Sequence, residues 1–148
     1  MNHPTALPKR AVSAGARAWN LMFEVFKASK PFMETVAAEF DMTPQQVYAI
    51  RNLGGDRAIT MSEFATLLGC DASNVTAIVD KLESRGLVER RSAATDRRVK
   101  ALLLTPAGIA MHDRVCERMQ NPPPAIGNLG EDDQDKLGDI LERALNSL

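Results

Sequence analysis

The stretch from Cys70 to Thr105, CDASNVTAIVDKLESRGLVERRSAATDRRVKALLLT, decides the fold of this chain. It predicts a short amphipathic helix, a glycine stop, and two strands joined by an arginine-rich loop. Asp71 suits the N-cap position, because its carboxylate can accept free backbone N–H groups and its charge matches the positive end of the helix. Gly86 suits the position just past the helix, where a left-handed residue ends it.

The predicted helix has two different faces. One is apolar at i, i+3, i+4 and i+7 and must pack on a core. Its members are Val75, Ile78, Val79 and Leu82. The opposite face carries small polar groups that can approach base edges, and a lysine that can meet phosphate. Its members are Ser73, Asn74, Thr76, Ala77 and Lys81. Asp80 lies among them and is expected to repel phosphate.

Two strands are predicted at residues 87–91 and 99–104, with a polar loop from Ser92 to Arg98 between them. From Lys81 to Lys100, seven basic residues against three acidic ones give a net charge of +4, whereas the whole chain carries −1. Positive charge is therefore concentrated where a polyanion would bind. The alternative is a solvated helix beside an ordinary charged hairpin, which leaves the order of helix, glycine and hairpin without an explanation.

The preceding segment predicts a second helix. Ser62 can cap it, Phe64, Leu67 and Leu68 lie within it, and Gly69 and Cys70 form a tight turn into the next helix. Two helices, a short turn and a wing define a winged helix-turn-helix. We therefore predict a mainly α fold with a small antiparallel β-hairpin, of the α+β class.

Residues 61–108, MSEFATLLGCDASNVTAIVDKLESRGLVERRSAATDRRVKALLLTPAG, resemble the DNA-binding core of the MarR family of bacterial transcriptional regulators. The most diagnostic element is Asp96-Arg97-Arg98, followed by a strand that ends in Leu104-Thr105. The resemblance implies that the wing arginine Arg98 enters the minor groove, while Asp96 holds the wing in shape. It also implies a homodimer with intertwined N- and C-terminal helices, and small ligands that bind between those helices and the winged domain.

Further helices are expected on both sides of this core. They are predicted at residues 12–29, from Pro31, from Thr43-Pro44, from Thr105-Pro106 to about Gln120, and at 131–148, with a break at Pro122–Pro124. We expect one subunit of residues 1–148, with a winged core at 43–105 and dimerisation helices at 11–40 and 106–148. The terminal apolar stripes then pair with a second subunit. The DNA target should be an imperfect palindrome with half-sites roughly 10 base pairs apart.

Composition bounds the class of protein. The chain has 148 residues, and 45% of them are hydrophobic, which suffices for a substantial core. No apolar run approaches the roughly 20 residues that span a bilayer, and residues 1–10 lack the apolar region of a signal peptide. Cys70 and Cys116 cannot form a disulfide framework. We therefore expect a cytoplasmic protein that needs no membrane.

Other kinds of site have weaker support. Neither His3 nor His112 stands in a catalytic motif, so an enzyme is not expected. His112 and Cys116 have the i, i+4 spacing of two metal ligands, but the same spacing fits an interface stripe, and no metal or other cofactor is expected. Cys70 precedes the recognition helix and could be a redox switch, although packing in the turn is the favoured interpretation.

Apolar residues of the first two helices could line a pocket for an aromatic or lipophilic effector, although core packing explains their periodicity equally well. They are Trp19, Met22, Phe23, Phe26, Met33 and Phe40. We therefore predict a ligand-responsive homodimeric repressor, a sequence-specific transcriptional regulator that binds a palindromic operator in double-stranded DNA. Its DNA contacts are expected from the polar helix face and from Arg97 and Arg98. The alternative is a winged-helix module that binds another protein and no DNA.

Overall fold

The computed structural model describes residues 12–54, 58–92 and 96–148. The predicted arm at residues 1–10, with His3, and part of the wing loop lie outside these residues. The elements are α1 (Ala14–Ala28), α2 (Lys30–Glu39), α3 (Pro44–Asn52), β1 (Ile59–Thr60), α4 (Met61–Leu68), α5 (Ala72–Ser84), β2 (Val88–Ser92), β3 (Lys100–Leu104), α6 (Pro106–Met119), α7 (Pro124–Gly127) and α8 (Glu131–Leu145). The predicted mainly α fold with a small antiparallel sheet is confirmed.

Local capping explains where several helices begin. The Thr43 hydroxyl accepts the backbone N–H of Gln46 at 3.2 Å, and the side-chain oxygen of Gln46 accepts the backbone N–H of Thr43 at 3.1 Å. The prediction that Ser62 caps α4 is wrong. Thr60 is the N-cap, because it has extended backbone angles at the end of β1 and forms a reciprocal capping box with Glu63. Ser62 lies inside the first turn.

The sheet is antiparallel and has three strands in the order β1-β3-β2. The predicted hairpin is β2 and β3, which pair in a register that sets Arg90 opposite Leu102 and Ser92 opposite Lys100. The short strand β1, which the sequence did not predict, pairs Ile59 with Leu102. It adds a third strand on the far side of β3 and leads directly into α4.

One hydrophobic core joins the sheet to the helices that surround it. Its largest fully buried side chains are Phe64, Ile50, Leu82, Leu102, Val36, Val47, Val75, Val79, Val88 and Val115. Helices α2 and α6, on either side of residues 43–105, contribute Val36 and Val115 to it. The break at Pro122–Pro124 is confirmed, and a single short helix, α7, follows it. Among the described residues, no helix is long and apolar enough to cross a membrane.

Candidate nucleic-acid interface

A tight turn joins α4 to α5. Gly69 has a φ of +61°, a left-handed conformation that suits glycine, and Cys70 donates its backbone N–H to Ala65 at 3.1 Å. Asp71 then begins α5 as its N-cap, as predicted. The side chain of Cys70 is partly buried and packs against the core, so a packing role in the turn accounts for this residue.

The two predicted faces of α5 are confirmed. The four apolar side chains are at most 7% exposed and lie in the core. The five residues of the opposite face, Ser73, Asn74, Thr76, Ala77 and Lys81, are all exposed. Gly86 lies just past the end of the helix in the predicted left-handed conformation, with a φ of +68°. There Leu87 donates its backbone N–H to Leu82 at 3.0 Å, and both side chains are buried. Burial on one side thus leaves the polar face of α5 open to a partner.

Polar side chains in the first turn of α5 bond to one another. The Asp71 carboxylate accepts the backbone N–H of Asn74 at 2.8 Å and the hydroxyl of Ser73 at 2.8 Å. Its second oxygen accepts the side-chain amide of Asn74 at 3.3 Å. The hydroxyl of Thr76 donates to the backbone carbonyl of Ala72 at 2.8 Å. The N–H of Asn74, with the hydroxyl of Ser73, lowers the pKa of Asp71 and keeps it ionised.

The described part of the wing, residues 96–100, is shaped by Asp96. Its carboxylate accepts the backbone N–H of Arg98 at 2.9 Å, and its carbonyl accepts that of Val99 at 3.0 Å. Arg97 and Arg98 are exposed and form no ion pair with any described residue. Residues 93–95 of the predicted loop lie outside the described chain. Asp96 therefore shapes the backbone of this segment, from which the side chains of Arg97 and Arg98 are exposed to solvent.

Ion pairs distribute the charge of this segment unevenly. Arg90 of β2 donates to Asp80 at 2.5 Å and also to Glu83, which ties the hairpin to α5. These two carboxylates, Asp80 foremost, raise the pKa of Arg90. Arg91 lies 2.5 Å from Glu89. Asp80, which is expected to repel phosphate, is thus partly neutralised by Arg90. The positive charge available to a polyanion is at Lys81 and on the wing.

Arg85 has a structural role that the sequence did not reveal. Its guanidinium donates to the backbone carbonyls of Asp41 at 2.6 Å and Phe40 at 3.1 Å, in the turn between α2 and α3. Asp41 has a φ of +54°, so this turn is left-handed at a residue other than glycine. No sequence pattern pairs an arginine with carbonyls more than forty residues away. The bonds fix the end of α5 against the end of α2.

The proposed effector residues do not converge on one cavity within a single chain. Trp19, Met22 and Phe26 are 49% to 78% exposed on α1, whereas Phe40 is buried beneath the guanidinium of Arg114, 5.4 Å from its ring centroid. Met33 is half-buried. Phe40 also touches an open depression of about 360 Å³ between α2 and α6. Its lining residues are Glu39, Phe40, Arg114, Glu117, Arg118 and Asn121.

His112 and Cys116 lie together as their spacing predicted, with Nε2 of His112 3.5 Å from the Cys116 sulfur. The His112 ring packs on Gly54, where a Cβ would lie 2.0 Å from Nε2. Across residues 12–54, 58–92 and 96–148, no three histidine, cysteine or acidic side chains are grouped as a metal site would require. Packing of α6 against the end of α3 accounts for the position of the imidazole.

A helix pair joined by a glycine turn, backed by a three-stranded sheet with an exposed basic loop, defines the winged helix-turn-helix class. Comparison with known proteins places the chain within that class. The sequence model described as the MarR family matches residues 40–99. Over these residues the chain is similar to the MarR family, as the motif at residues 61–108 suggested.

Relatives span most of the chain. It is 26% identical over 131 residues to a putative transcriptional regulatory protein for the hcr operon of Thauera aromatica, covering 88% of this chain and 79% of that one. It is 29% identical over 128 residues to the HTH-type transcriptional regulator PecS of Dickeya dadantii, covering 86% and 70%. These relatives are transcriptional regulators.

Solved structures share the fold over nearly the whole chain. Wild-type MarR from E. coli, in its apo form, superposes with a TM-score of 0.76 at 21% identity, covering 92% of this chain and 99% of that one. The transcriptional repressor CouR, bound to a 23-mer DNA duplex, gives a TM-score of 0.69 at 27% identity, covering 90% and 92%. The similarity therefore includes the terminal helices as well as the winged core.

Proposed function

We propose that this protein is a homodimeric transcriptional regulator that represses its targets by binding a palindromic operator in double-stranded DNA. The observation that carries the proposal is the exposed polar face of α5 beside a wing whose arginines have no ion-pair partner in the described chain. CouR, which has the same fold, is bound to a DNA duplex. A regulator that acts on DNA would work in the cytoplasm of a bacterium.

Each part of this surface has its own proposed contact. Ser73, Asn74, Thr76 and Ala77 would face base edges in the major groove, and Lys81 would contact the phosphate backbone. Arg98 would enter the minor groove, where a narrow electronegative channel attracts a guanidinium, with Arg97 beside it. The bond from Asp96 to the Arg98 backbone would hold the wing in the shape that this insertion needs.

The terminal helices would pair two subunits, so we assign residues 43–105 to the winged core and residues 11–40 and 106–148 to dimerisation. The apolar side chains of α1 and α8 support this assignment, because Phe26 is 78% and Leu145 is 69% exposed in the single chain. A symmetric pair would set two copies of α5 about one helical turn of DNA apart.

A small aromatic or lipophilic effector would bind beside these helices and favour a dimer whose α5 spacing no longer matches the operator. The exposed rings of α1 support this part of the proposal, because Trp19 and Phe23 stack edge to face at 5.8 Å and leave apolar surface for a ligand. A thermal-shift screen of aromatic acids, phenols and fatty acids would detect a ligand as a rise in melting temperature.

The decisive experiment is fluorescence anisotropy with DNA from upstream of the protein's own gene. We expect Arg98→Ala to weaken binding by about 1–3 kcal/mol. Its matched control is Arg143→Ala on α8, which removes the same charge away from the wing and should leave affinity unchanged. Wild-type affinity should also fall steeply with salt as counterions are released.

The results separate the two classes of function. Equal affinity of Arg98→Ala and wild type at moderate salt would exclude the wing contact. No binding to any duplex, by a chain that is folded and dimeric, would exclude the regulator and leave the alternative, a winged-helix module that binds another protein.

A further inference from the structure

The first turn of α5 uses nearly all its side-chain hydrogen-bond donors internally. A hydroxyl has one proton and two lone pairs. Ser73 gives its proton to Asp71, and Thr76 gives its own to the Ala72 carbonyl. Both residues are exposed, so what their hydroxyl oxygens offer to a partner is lone pairs. An exposed hydroxyl on a recognition helix can act as donor or acceptor in general, but here the neighbouring groups determine which.

Asn74 is held in the same way. One N–H of its amide bonds to Asp71 at 3.3 Å, which leaves the amide oxygen and one remaining N–H for a partner. Asp71 itself can only accept while ionised, and the bonds it receives favour the ionised form. Between Asp71 and Ala77, the side chains therefore offer a partner four acceptor groups and a single N–H donor. The acceptors are the Asp71 carboxylate, the Ser73 and Thr76 hydroxyls and the Asn74 amide oxygen.

The major groove offers complementary partners to such a surface. Adenine presents its N6 amino group and cytosine its N4 amino group as donors, whereas guanine O6 and thymine O4 are acceptors. An acceptor-rich surface bonds to an amino group and leaves a keto oxygen without a donor, which costs binding energy. The backbone N–H groups at the start of α5 point along the helix axis, where they suit phosphate instead of base edges.

We propose that Asp71 is a specificity-determining residue, which takes up the protons of Ser73 and Asn74 and thereby makes the first turn of α5 select adenine or cytosine over guanine or thymine at a given position on one strand. The proposal rests on the proposed function, because it specifies which bases the same DNA-binding surface selects. It gives Asp71 a role beyond capping the helix. The expected preference is for a base with an amino group over a base with a keto oxygen in the major groove.

The substitution Asp71→Asn tests this directly. Asparagine caps helices about as well as aspartate, so the fold should be retained. Its amide oxygen can take the place of the carboxylate oxygen that accepts both the Asn74 backbone N–H and the Ser73 hydroxyl, but its amino group is a donor and cannot accept the side-chain N–H of Asn74. The change therefore adds one donor and releases the side-chain N–H of Asn74 without changing side-chain size. Asp139→Asn on α8 is the matched control, which removes the same charge away from the proposed DNA surface.

Full-length wild type and variants would each select from a pool of random duplexes, followed by competition between duplexes that differ at one base pair. At the position where Asp71→Asn changes the preference, wild type should accept adenine or cytosine and disfavour guanine and thymine by about threefold to tenfold, the effect of one hydrogen bond. Asp71→Asn should lose or invert this discrimination, and Asp139→Asn should keep it. Replacing adenine there by purine, which lacks the amino group, should weaken wild type and spare Asp71→Asn.

The outcomes distinguish this proposal about Asp71 from the proposed DNA-binding function on which it rests. Should wild type enrich no sequence, sequence-specific binding itself fails. Should it enrich a sequence that folded Asp71→Asn reads with the same base preferences, Asp71 is a cap alone and the proposal is overturned. If Asp71→Asn does not bind DNA, Ser73→Ala decides, because it keeps the Asp71 cap and removes the hydroxyl whose proton Asp71 accepts. An unchanged amino preference in that variant overturns the proposal, and its loss at one position supports it.

Discussion

The winged core and the two terminal helices expose apolar side chains to very different degrees. Helix α5 is 13 residues long and buries four side chains, whereas α1 and α8, each 15 residues and wholly described, bury none. Phe64 in the core is completely buried, but Phe26 on α1 is 78% exposed. The same residue types thus occupy opposite environments within one chain.

This difference separates what one subunit stabilises by itself from what needs a partner. The core holds α5 against the strands β2 and β3 through side chains that are buried within the single chain. The terminal helices are amphipathic, yet nothing in the described chain covers their apolar stripes. Exposed apolar surface of this extent is characteristic of an interface. The effects of mutations on the free energy of unfolding should therefore differ between the two regions in size, in sign and in dependence on protein concentration.

The largest expected difference is between two phenylalanines. Phe64→Ala leaves a cavity in the core and should lower the free energy of unfolding by about 3–5 kcal/mol at every protein concentration. Phe26→Ala should cost a lone subunit little, because the ring is mostly in water, and any cost should grow as the protein becomes dimeric. Urea denaturation at two protein concentrations measures both. Equal losses that do not depend on concentration would contradict the comparison.

Two glycine substitutions should differ in sign. At Gly108 in α6 a Cβ would lie 1.9 Å from the carbonyl oxygen of Leu87, so Gly108→Ala must shift backbone and should destabilise by about 1–3 kcal/mol. At Gly138 in α8 no described atom beyond its chain neighbours and the nearby backbone of its own helix lies within 4 Å of that position. Gly138→Ala should therefore stabilise the helix by up to about 1 kcal/mol. Thermal melts measure both changes, and destabilisation by Gly138→Ala would instead place a partner backbone against α8.

The coupling between dimerisation and stability is a third test. If a second subunit covers α1, each tenfold dilution of wild type should lower the apparent stability of the dimer by about 1.4 kcal/mol. Phe26→Asp would bury a charge at that interface, so it should sediment as a folded monomer with a melting temperature independent of concentration. Phe26→Ala should be intermediate. A Phe26→Asp protein that stays dimeric in analytical ultracentrifugation would exclude α1 from the interface.

Features with a local cause were predictable from the sequence. The two faces of α5 follow from side-chain periodicity, and Asp71 and Gly86 follow from capping chemistry, so all of these were confirmed. The cap of α4 was misplaced by two residues, because Ser62 and Thr60 are both good caps. Only the backbone conformation that β1 imposes distinguishes them, and a two-residue strand has too few residues for a recognisable pattern.

Features that depend on distant contacts were not predictable. The pairing of Arg90 with Asp80 and Glu83 requires β2 to return along α5, and the bonds from Arg85 to the α2–α3 turn join residues more than forty positions apart. Counting charges gave the segment +4 but could not show which cations were already paired. The structure therefore supports the proposed DNA contacts of the wing by showing that its arginines are exposed, whereas their role is inferred from the family resemblance.

The smallest expected effect concerns the junction between the two regions. Arg118 of α6 donates from Nε to Glu39 of α2 at 2.8 Å and lowers the pKa of that carboxyl below its ordinary 4.5. A lowered folded-state pKa means that the pair stabilises the protein above about pH 4.5 and loses this contribution as the pH falls through the folded value. Between about pH 5 and 3 the melting temperature of wild type should therefore fall more than that of Glu39→Gln, by a small margin because the pair is partly exposed.

The control is Glu117→Gln, which removes a carboxylate without an ion pair in the described chain. Its melting temperature should fall in parallel with that of wild type. Parallel curves for all three proteins would show that the junction between α2 and α6 depends on apolar packing and on the Arg114 and Phe40 stack, and not on this ion pair.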